Sequence, residues 1–207
     1  MSEQKNVKNT GAGTSSTENN RRNGVSVKER FSAKRLTLMA VFVALSYVVS
    51  FLEIPLFPAA PFLKLDFANV LVLLVSFLLG PVEGVIVCLL KEALRAIGSS
   101  SGGVGEIANI LATSAYILLP AVAYRFHHGL KVVVPSLAIA CLLGTGAALL
   151  TNRFITFPLY MGEGAAAVFA DLFWYVVAFN FIKTVSVSLL TLLLYKRLSN
   201  FLKKMKI

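Results

Sequence analysis

Residues 132–155 read VVVPSLAIACLLGTGAALLTNRFI, and this stretch carries no charged side chain before Arg153. A helix rises about 1.5 Å per residue and needs roughly 20 mostly apolar residues to cross the hydrocarbon core of a bilayer. The stretch is long enough for that crossing. It therefore predicts a transmembrane helix.

The composition of the whole chain favours the same environment. Hydrophobic residues make up 57% of the sequence and charged residues 14%, whereas about a quarter of a typical globular chain is charged. A soluble fold of this length could not bury so much apolar surface, because much of its surface must face water. We therefore expect an all-α membrane protein.

Further apolar runs lie on both sides of the first one, and together they predict a bundle of six transmembrane helices. The expected spans are 34–54, 67–79, from the turn at 80–84 to 97, 105–124, 132–155 and 165–195. Pro55, Pro58 and Pro61 should end the first span, and residues 62–66 should form an interfacial loop. The second and third spans are short, so re-entrant segments remain an alternative for them.

The two ends of the chain differ from the apolar middle. Residues 1–30 are rich in Ser, Asn, Thr, Gly and Lys, have no aromatic side chain, and are expected to be a disordered cytoplasmic tail. No apolar stretch follows the N-terminus closely enough for a secretory signal. The membrane domain should span residues 31–200, and residues 201–207 should form a basic cytoplasmic C-terminus.

The basic residues predict the orientation. The net charge is +10, and Lys and Arg concentrate in the first 35 residues, around 125–131, and from 196 to the end. Short cytoplasmic loops carry an excess of Lys and Arg, so both termini should lie inside. These basic residues flank apolar runs without interleaved aromatics, which argues against a nucleic-acid surface and for contact with anionic lipid.

Polar residues inside the spans are the candidate functional residues, since a charge at the bilayer centre costs at least about 2.5–3.5 kcal/mol. With the N-terminus inside, several of them fall toward the outer side at a common level: Asp66, Arg95, Glu106, Asn109, Asn152 and Lys183. Asn180 shares a helical face with Lys183. Apolar walls with a few placed polar groups are typical of a small-molecule pocket.

Other roles remain open for some of these residues. The charges at 91, 92 and 95 can neutralise one another or reach the headgroups as well as contact a ligand. Glu106 can cap the fourth helix, because carboxylates favour helix N-termini. Asn152 can bond a neighbouring helix. Lys183 has no carboxylate near it in sequence and lies deep, which favours a ligand contact.

Motifs for catalysis, metal binding and ATP hydrolysis are not visible in the sequence. We therefore expect no catalytic residues, no metal site and no energy conversion by the chain itself. An intramembrane enzyme or assembly factor would have to use Glu92 and Glu106 as its acid/base groups. An autonomous small-solute transporter is a further alternative, but the inverted repeats typical of such proteins are not apparent.

Small residues mark one face of the first span. Ala40 and Ala44 are four residues apart, and Ala33 lies near the same face. Small residues at this spacing let helices approach closely. The face can therefore pack inside the bundle or against a partner.

Several short motifs together resemble the riboflavin-specific S components of energy-coupling factor (ECF) transporters. The resemblance covers roughly residues 34–200 and rests on FLKLDF at 62–67, GPVEGV at 80–85, GGVGEIAN at 102–109, NRF at 152–154, PLY at 158–160 and FNFIK at 179–183. Each motif alone is weakly specific. Their order and spacing make the set more specific.

The resemblance implies a six-helix substrate-capturing subunit in the cytoplasmic membrane of a prokaryote, with no transport power of its own. It implies partners as well: a transmembrane coupling subunit that docks on Ala40 and Ala44, and two ATPase subunits. By the same resemblance Asn152 and Lys183 contact the ligand. Riboflavin is the implied ligand rather than a cofactor, and FMN or a close analogue is open. Other S components bind thiamine, biotin, folate or pantothenate, so the vitamin assignment depends on the motifs.

Overall fold

The computed structural model describes residues 32–99, 102–127 and 129–204, with residues 196–204 described as backbone only. The tail predicted at 1–30 lies outside the described residues, as do residues 205–207 of the predicted basic C-terminus. The fold divides between Leu36 and Thr37. All the elements discussed below belong to the second unit, except the first residues of the first helix.

Apart from one small hairpin, the regular secondary structure of the described residues is helical, as an all-α fold requires. The helices are α1 Ala33–Val49, α2 Ala68–Leu78, α3 Pro81–Ile97, α4 Val104–Phe126, α5 Leu130–Thr151, α6 Phe157–Met161 and α7 Ala165–Lys204. The hairpin consists of β1 Glu53–Pro55 and β2 Lys64–Asp66, which pair antiparallel. Helix α4 packs against α2, α3 and α5, and α7 packs against α2 and α5.

The first helix is shorter than the predicted span 34–54. It ends at Val49, and the chain then enters β1, whose Glu53 pairs in register with Asp66. Residues Glu53–Pro55 are not helical because they pair with Lys64–Asp66 in the hairpin. The predicted loop at 62–66 accordingly ends as a strand.

The turn between α2 and α3 is tight because of its Gly–Pro pair. Gly80 has φ 131°, a value that side chains disfavour, and Pro81 is the first residue of α3. Proline is well suited to this first helical position, where its missing amide hydrogen has no partner to lose. The third helix therefore begins at the start of the predicted 80–84 turn and runs to Ile97 as expected.

The fifth helix also differs from the predicted span. Its regular part ends at Thr151, and residues Asn152–Thr156 form one π-helical turn before α6. Wide turns of this kind are rare and occur often at functional sites. The last helix, α7, runs on to Lys204, well beyond the predicted end at Tyr195.

Two helical stretches of the described chain are long and apolar enough to cross a membrane, Val104–Phe126 and Leu130–Tyr195. The second stretch contains α5 and α7 with the turns between them. Helices α1 and α3 have 17 residues each, which is short of the roughly 20 needed for a perpendicular crossing. The six spans and the inside location of both termini remain predictions.

The described surface carries many large apolar side chains. Leu142 is 66% exposed, Leu193 70%, Phe154 70% and Trp174 76%. Soluble monomers rarely expose apolar surface on this scale. The exposed side chains therefore agree with a protein surrounded by lipid.

Two clusters of buried side chains hold the helices together. The larger one joins α1–α5 and α7 and includes Phe42, Leu73 and Val87. The smaller one lies where the hairpin meets α6 and α7 and includes Leu65, Phe157 and Phe169. The second cluster holds the hairpin against α6 and α7.

Replacing Gly84 by alanine should destabilise the protein. A Cβ there would lie 2.6 Å from Ser76 Cβ and 3.1 Å from Ser76 Cα, so α2 and α3 would have to separate. Overpacking of this kind costs about 1–3 kcal/mol. Thermal unfolding of the detergent-purified variant, followed by circular dichroism, should show a lower midpoint.

The matched control for this prediction is Gly146→Ala on α5. A Cβ at Gly146 meets nothing within 4 Å, and alanine is the better helix former. Its midpoint should be unchanged or slightly raised. Equal midpoints for the two variants would contradict the close contact at Gly84.

Candidate ligand-binding site

Two adjoining cavities lie between the hairpin and the helices. The first, here the apolar cavity, has among its lining residues Asn69, Ala108, Ala112, Thr113, Tyr116, Gly144, Ala148, Asn152, Thr156, Phe179, Asn180, Thr184 and Val187. The second, here the charged cavity, has among its lining residues Glu53, Asp66, Lys91, Glu92, Arg95 and Glu106. Both are lined by Phe62, Lys64, Gly105, Asn109, Tyr160 and Lys183. These shared residues make the two cavities parts of one site.

Lys183 of α7 lies at the junction of the two cavities. Its Nζ donates to Asn109 Oδ1 at 2.9 Å and to Asp66 Oδ2 at 3.3 Å. The ammonium also lies 5.9 Å from the centre of the Phe179 ring. A single lysine thereby joins α7, α4 and the hairpin.

The surroundings of Asp66 keep its carboxyl group ionised. Its Oδ1 accepts the backbone amide of Ala68 at 3.0 Å, at the entry to α2. Burial would raise the pKa of Asp66, but the charges of Lys183 and Lys91, with these hydrogen bonds, hold it at about 2. The carboxylate is therefore charged at physiological pH, and it compensates the partly buried cation of Lys183.

Asn109 is oriented by a buried polar network behind it. Its Oδ1 accepts from Asn69 Nδ2 at 3.1 Å, while its own Nδ2 donates to the carboxylate of Glu92. Asn69 donates in addition to Thr113 Oγ1 at 2.9 Å and accepts from Lys91 Nζ at 3.1 Å. These bonds fix the orientation of the Asn109 amide, so that its oxygen points toward the surrounding donors, which include Lys183.

Lys91 and Glu92 form a buried ion pair at the base of that network. Their Nζ and Oε1 atoms are 2.5 Å apart, and the side chains are 0% and 2% exposed. A buried pair gains little over apolar side chains, but loss of one partner leaves an uncompensated charge. The pair thus supports the network without needing contact with a ligand.

Asn152, in the π turn after α5, and Asn180 of α7 face the apolar cavity. Each amide nitrogen donates to the carbonyl four residues earlier in its own helix, Asn152 to Ala148 at 2.8 Å and Asn180 to Val176 at 2.9 Å. An amide side chain has a second N–H and an oxygen in addition to that donor. Those atoms are the ones available to pair with a ligand.

Tyr116 of α4 supplies an aromatic side chain to the lining of the apolar cavity. Its hydroxyl pairs with Ser188 at 2.6 Å, and Ser188 pairs in turn with Cys141 Sγ at 3.3 Å. Gly144 allows the ring to approach α5, since a Cβ there would lie 2.9 Å from Tyr116 Cβ. The aromatic ring is therefore held firmly against the cavity.

The hairpin is tied to α3 by a second group of charges. Glu53 accepts from Lys64 Nζ at 2.6 Å and from Arg95 Nη2 at 2.8 Å, and Arg95 also donates to the Ser50 carbonyl. Partial burial opposes ionisation of Glu53, but the hydrogen bonds and charges of Lys64 and Arg95 hold its pKa below the usual value. This group closes one side of the charged cavity.

Comparison with known proteins places this geometry in a family. The model of the ECF transporter substrate-specific component matches residues 34–195. That match covers most of the chain. The chain belongs to this family.

Individual relatives agree with the family match. The riboflavin transporter RibU of Staphylococcus aureus (strain TCH60) is 33% identical over 176 residues, covering 83% of this chain and 93% of that protein. The riboflavin transporter FmnP of Bacillus subtilis (strain 168) is 30% identical over 132 residues, covering 62% of this chain and 67% of that protein. A solved structure of the S component of a bacterial ECF transporter is 35% identical with a TM-score of 0.72, and covers 82% of this chain and 98% of that one.

Within this S component the structure joins three of the predicted site residues directly. Asp66, Asn109 and Lys183 are in hydrogen-bond contact, and Asn152 and Asn180 line the cavity beside them. Glu106 is buried in the first turn of α4 and lines the charged cavity.

The three charges at positions 91, 92 and 95 of α3 serve the framework. Lys91 and Glu92 neutralise one another, which was one of the alternatives open from sequence, whereas Arg95 pairs with Glu53 rather than with Glu92 three residues before it. Asn69, Thr113, Tyr116 and Thr184 were missed by sequence reasoning. The signal for Asn69 was present, because an amide inside an apolar helix is as exceptional as the charges that were noticed.

Breaking the buried ion pair should destabilise the S component strongly. Lys91→Met leaves Glu92 uncompensated and removes a donor to Asn69, at a cost of about 3–5 kcal/mol. Adding Glu92→Gln to this variant should recover part of the loss, because the buried charge is then gone. Thermal unfolding in detergent measures both, and a double variant no more stable than Lys91→Met would contradict the pairing.

Proposed function

We propose that this S component captures riboflavin at the outer face of the cytoplasmic membrane, as the substrate-binding subunit of an ATP-driven ECF vitamin transporter. The observation that supports this proposal most directly is the junction of an apolar, aromatic cavity with a ring of oriented polar groups around Lys183. Relatives that cover most of this chain are named riboflavin transporters. FMN or a close analogue is a second ligand compatible with the site.

The flavin ring suits the apolar cavity. The isoalloxazine is flat and largely apolar, with carbonyl oxygens and ring nitrogens along one edge. Phe179 and Tyr116 supply aromatic contact area, and Asn152 and Asn180 supply amide groups that can pair with the ring edge. Lys183 donates to a carbonyl or to a ribityl hydroxyl from the junction.

The polar groups provide selectivity. A site built to hydrogen-bond a ligand rejects analogues that leave its buried donors and acceptors unpaired. The side chains of Asp66 and Asn109 hold Lys183 in place before the ligand arrives, so little ordering is required on binding. Glu106 and Asp66 complete the polar lining on the side of the charged cavity.

We further infer a bundle of six spans with both termini in the cytoplasm of a prokaryotic cell. The distribution of basic residues supports this orientation, since they concentrate before α1, near the α4–α5 connection and at the C-terminal end. The hairpin, with the site behind it, would then face outward, where the vitamin is captured. Shorter helices such as α2 can be accommodated inside the bundle.

The protein would act without enzymatic activity of its own. Release of the vitamin inward would depend on a transmembrane coupling subunit and two ATPase subunits that hydrolyse ATP. Ala40 and Ala44 support this proposal because both are exposed on α1, where a partner helix could approach closely.

A riboflavin titration tests the proposed ligand. The detergent-purified S component should quench the fluorescence of added riboflavin at one molecule per protein and show flavin absorption if ligand is retained. Lys183→Ala should weaken binding by more than about tenfold, or about 1.4 kcal/mol. The cause is the loss of a charged donor and the unpaired Asp66 left behind.

The matched control is Lys131→Ala, which removes an exposed lysine at the start of α5. Its affinity should equal that of the native protein. A native protein that neither quenches nor retains flavin would refute riboflavin capture, and unchanged affinity of Lys183→Ala would remove that lysine from the site.

Bulky residues on the face of α1 that carries Ala40 and Ala44 should impair transport without impairing ligand binding. Ala40→Leu and Ala44→Leu should leave riboflavin affinity unchanged but lower ATP-dependent uptake in cells that also express the coupling and ATPase subunits. Ala138→Leu, at an exposed position of α5, is the control and should transport normally. Normal uptake by both α1 variants would rule out docking on this face.

A further inference from the structure

The charged cavity contains no cation that lacks a carboxylate partner among the described residues. Glu53 binds both Lys64 and Arg95, Asp66 binds Lys183, and Glu92 binds Lys91. An anionic group entering this cavity would therefore meet cations whose charge is already compensated by a carboxylate.

Among the carboxylates of the charged cavity, Glu53 has the position with the greatest influence on whether an anion can enter. One of its oxygens accepts from Lys64 at 2.6 Å and the other from Arg95 at 2.8 Å, so both oxygens are occupied by cations. It lies at the solvent-reached edge of the cavity, with its side chain 24% exposed. A lysine and an arginine that converge in this way are the partners a phosphate would need, and Glu53 already occupies them.

The hairpin holds Glu53 in that position. In its antiparallel register Glu53 lies opposite Asp66, and Pro55 lies opposite Lys64, so Glu53 and Lys64 are diagonal neighbours across the strands. Glu53 could leave its cations only by breaking two charged hydrogen bonds, and it would then remain as a negative charge close to any incoming anion.

We propose that Glu53 is a specificity-determining residue that makes the site favour the neutral flavin over its 5′-phosphate monoester. This inference rests on the proposed function. With the isoalloxazine in the apolar cavity, the ribityl chain passes Lys183 and its far end enters the charged cavity. A phosphate on that end meets carboxylates and engaged cations, whereas a hydroxyl pairs with them as a neutral donor or acceptor. Exclusion by like charge is a common source of specificity.

The test compares the dissociation constants of riboflavin and riboflavin 5′-phosphate in the purified full-length protein. Glu53→Gln leaves Lys64 and Arg95 uncompensated, so the ratio of the two constants should shift toward the phosphate by about tenfold at low ionic strength. Lys64→Gln removes a cation instead and should shift the ratio the opposite way. The readout is quenching of flavin fluorescence for both ligands.

Glu163→Gln is the matched control. It removes the same charge from an exposed residue in the turn Gly162–Gly164, which is not among the residues lining either cavity. Its ratio should stay at the native value. An unmoved ratio in Glu53→Gln, or an equal shift in Glu163→Gln, would overturn the role of Glu53 while leaving riboflavin capture intact. Failure of the native protein to bind riboflavin would overturn the proposed function itself.

Discussion

The site depends on the compensation of one partly buried cation, Lys183. A charge on an apolar helix must find a partner, and Lys183 finds it in Asp66, 117 positions away in the sequence, at 3.3 Å. This contact requires the hairpin to lie over the end of the bundle, and it requires α4 to bring Asn109 to the same level. Together with the pairing of Glu53 with Arg95, it ties the hairpin to the helices that line the cavities.

Around this contact, one set of side chains holds the site in place and a different set of atoms is available to bind a ligand. The buried pair of Lys91 and Glu92 holds Asn69 and Asn109 in fixed orientations, while the atoms that remain for a ligand lie on the cavity side. Preorganisation of this kind lowers the ordering cost of binding. Charge compensation explains why charged side chains are tolerated in so apolar a chain, since each cation that lines the charged cavity has a carboxylate beside it.

The sequence predicted the parts of the fold that depend on local composition. The long apolar runs indicated α4, α5 and α7, and the cost of burying charged or polar side chains indicated Asp66, Asn109 and Lys183. It could not predict the hairpin, because the pairing of Glu53 with Lys64 and Arg95 depends on contacts across the fold. The π turn at Asn152 was missed for a similar reason, since local composition does not distinguish it from a regular helix end. Membership of the ECF S-component family was recognisable from the order of short motifs and is confirmed by the family match.

An experimental structure of the flavin-loaded protein is the most direct measurement of the central claim, that polar side chains from separate helices meet around Lys183 to hold the vitamin. We expect a flavin oxygen or nitrogen within about 3.5 Å of Lys183 Nζ, with the ring between Phe179 and Tyr116. The ion pair between Lys183 and Asp66 should persist in the complex. Flavin bound elsewhere on the protein, with both cavities empty, would contradict the claim.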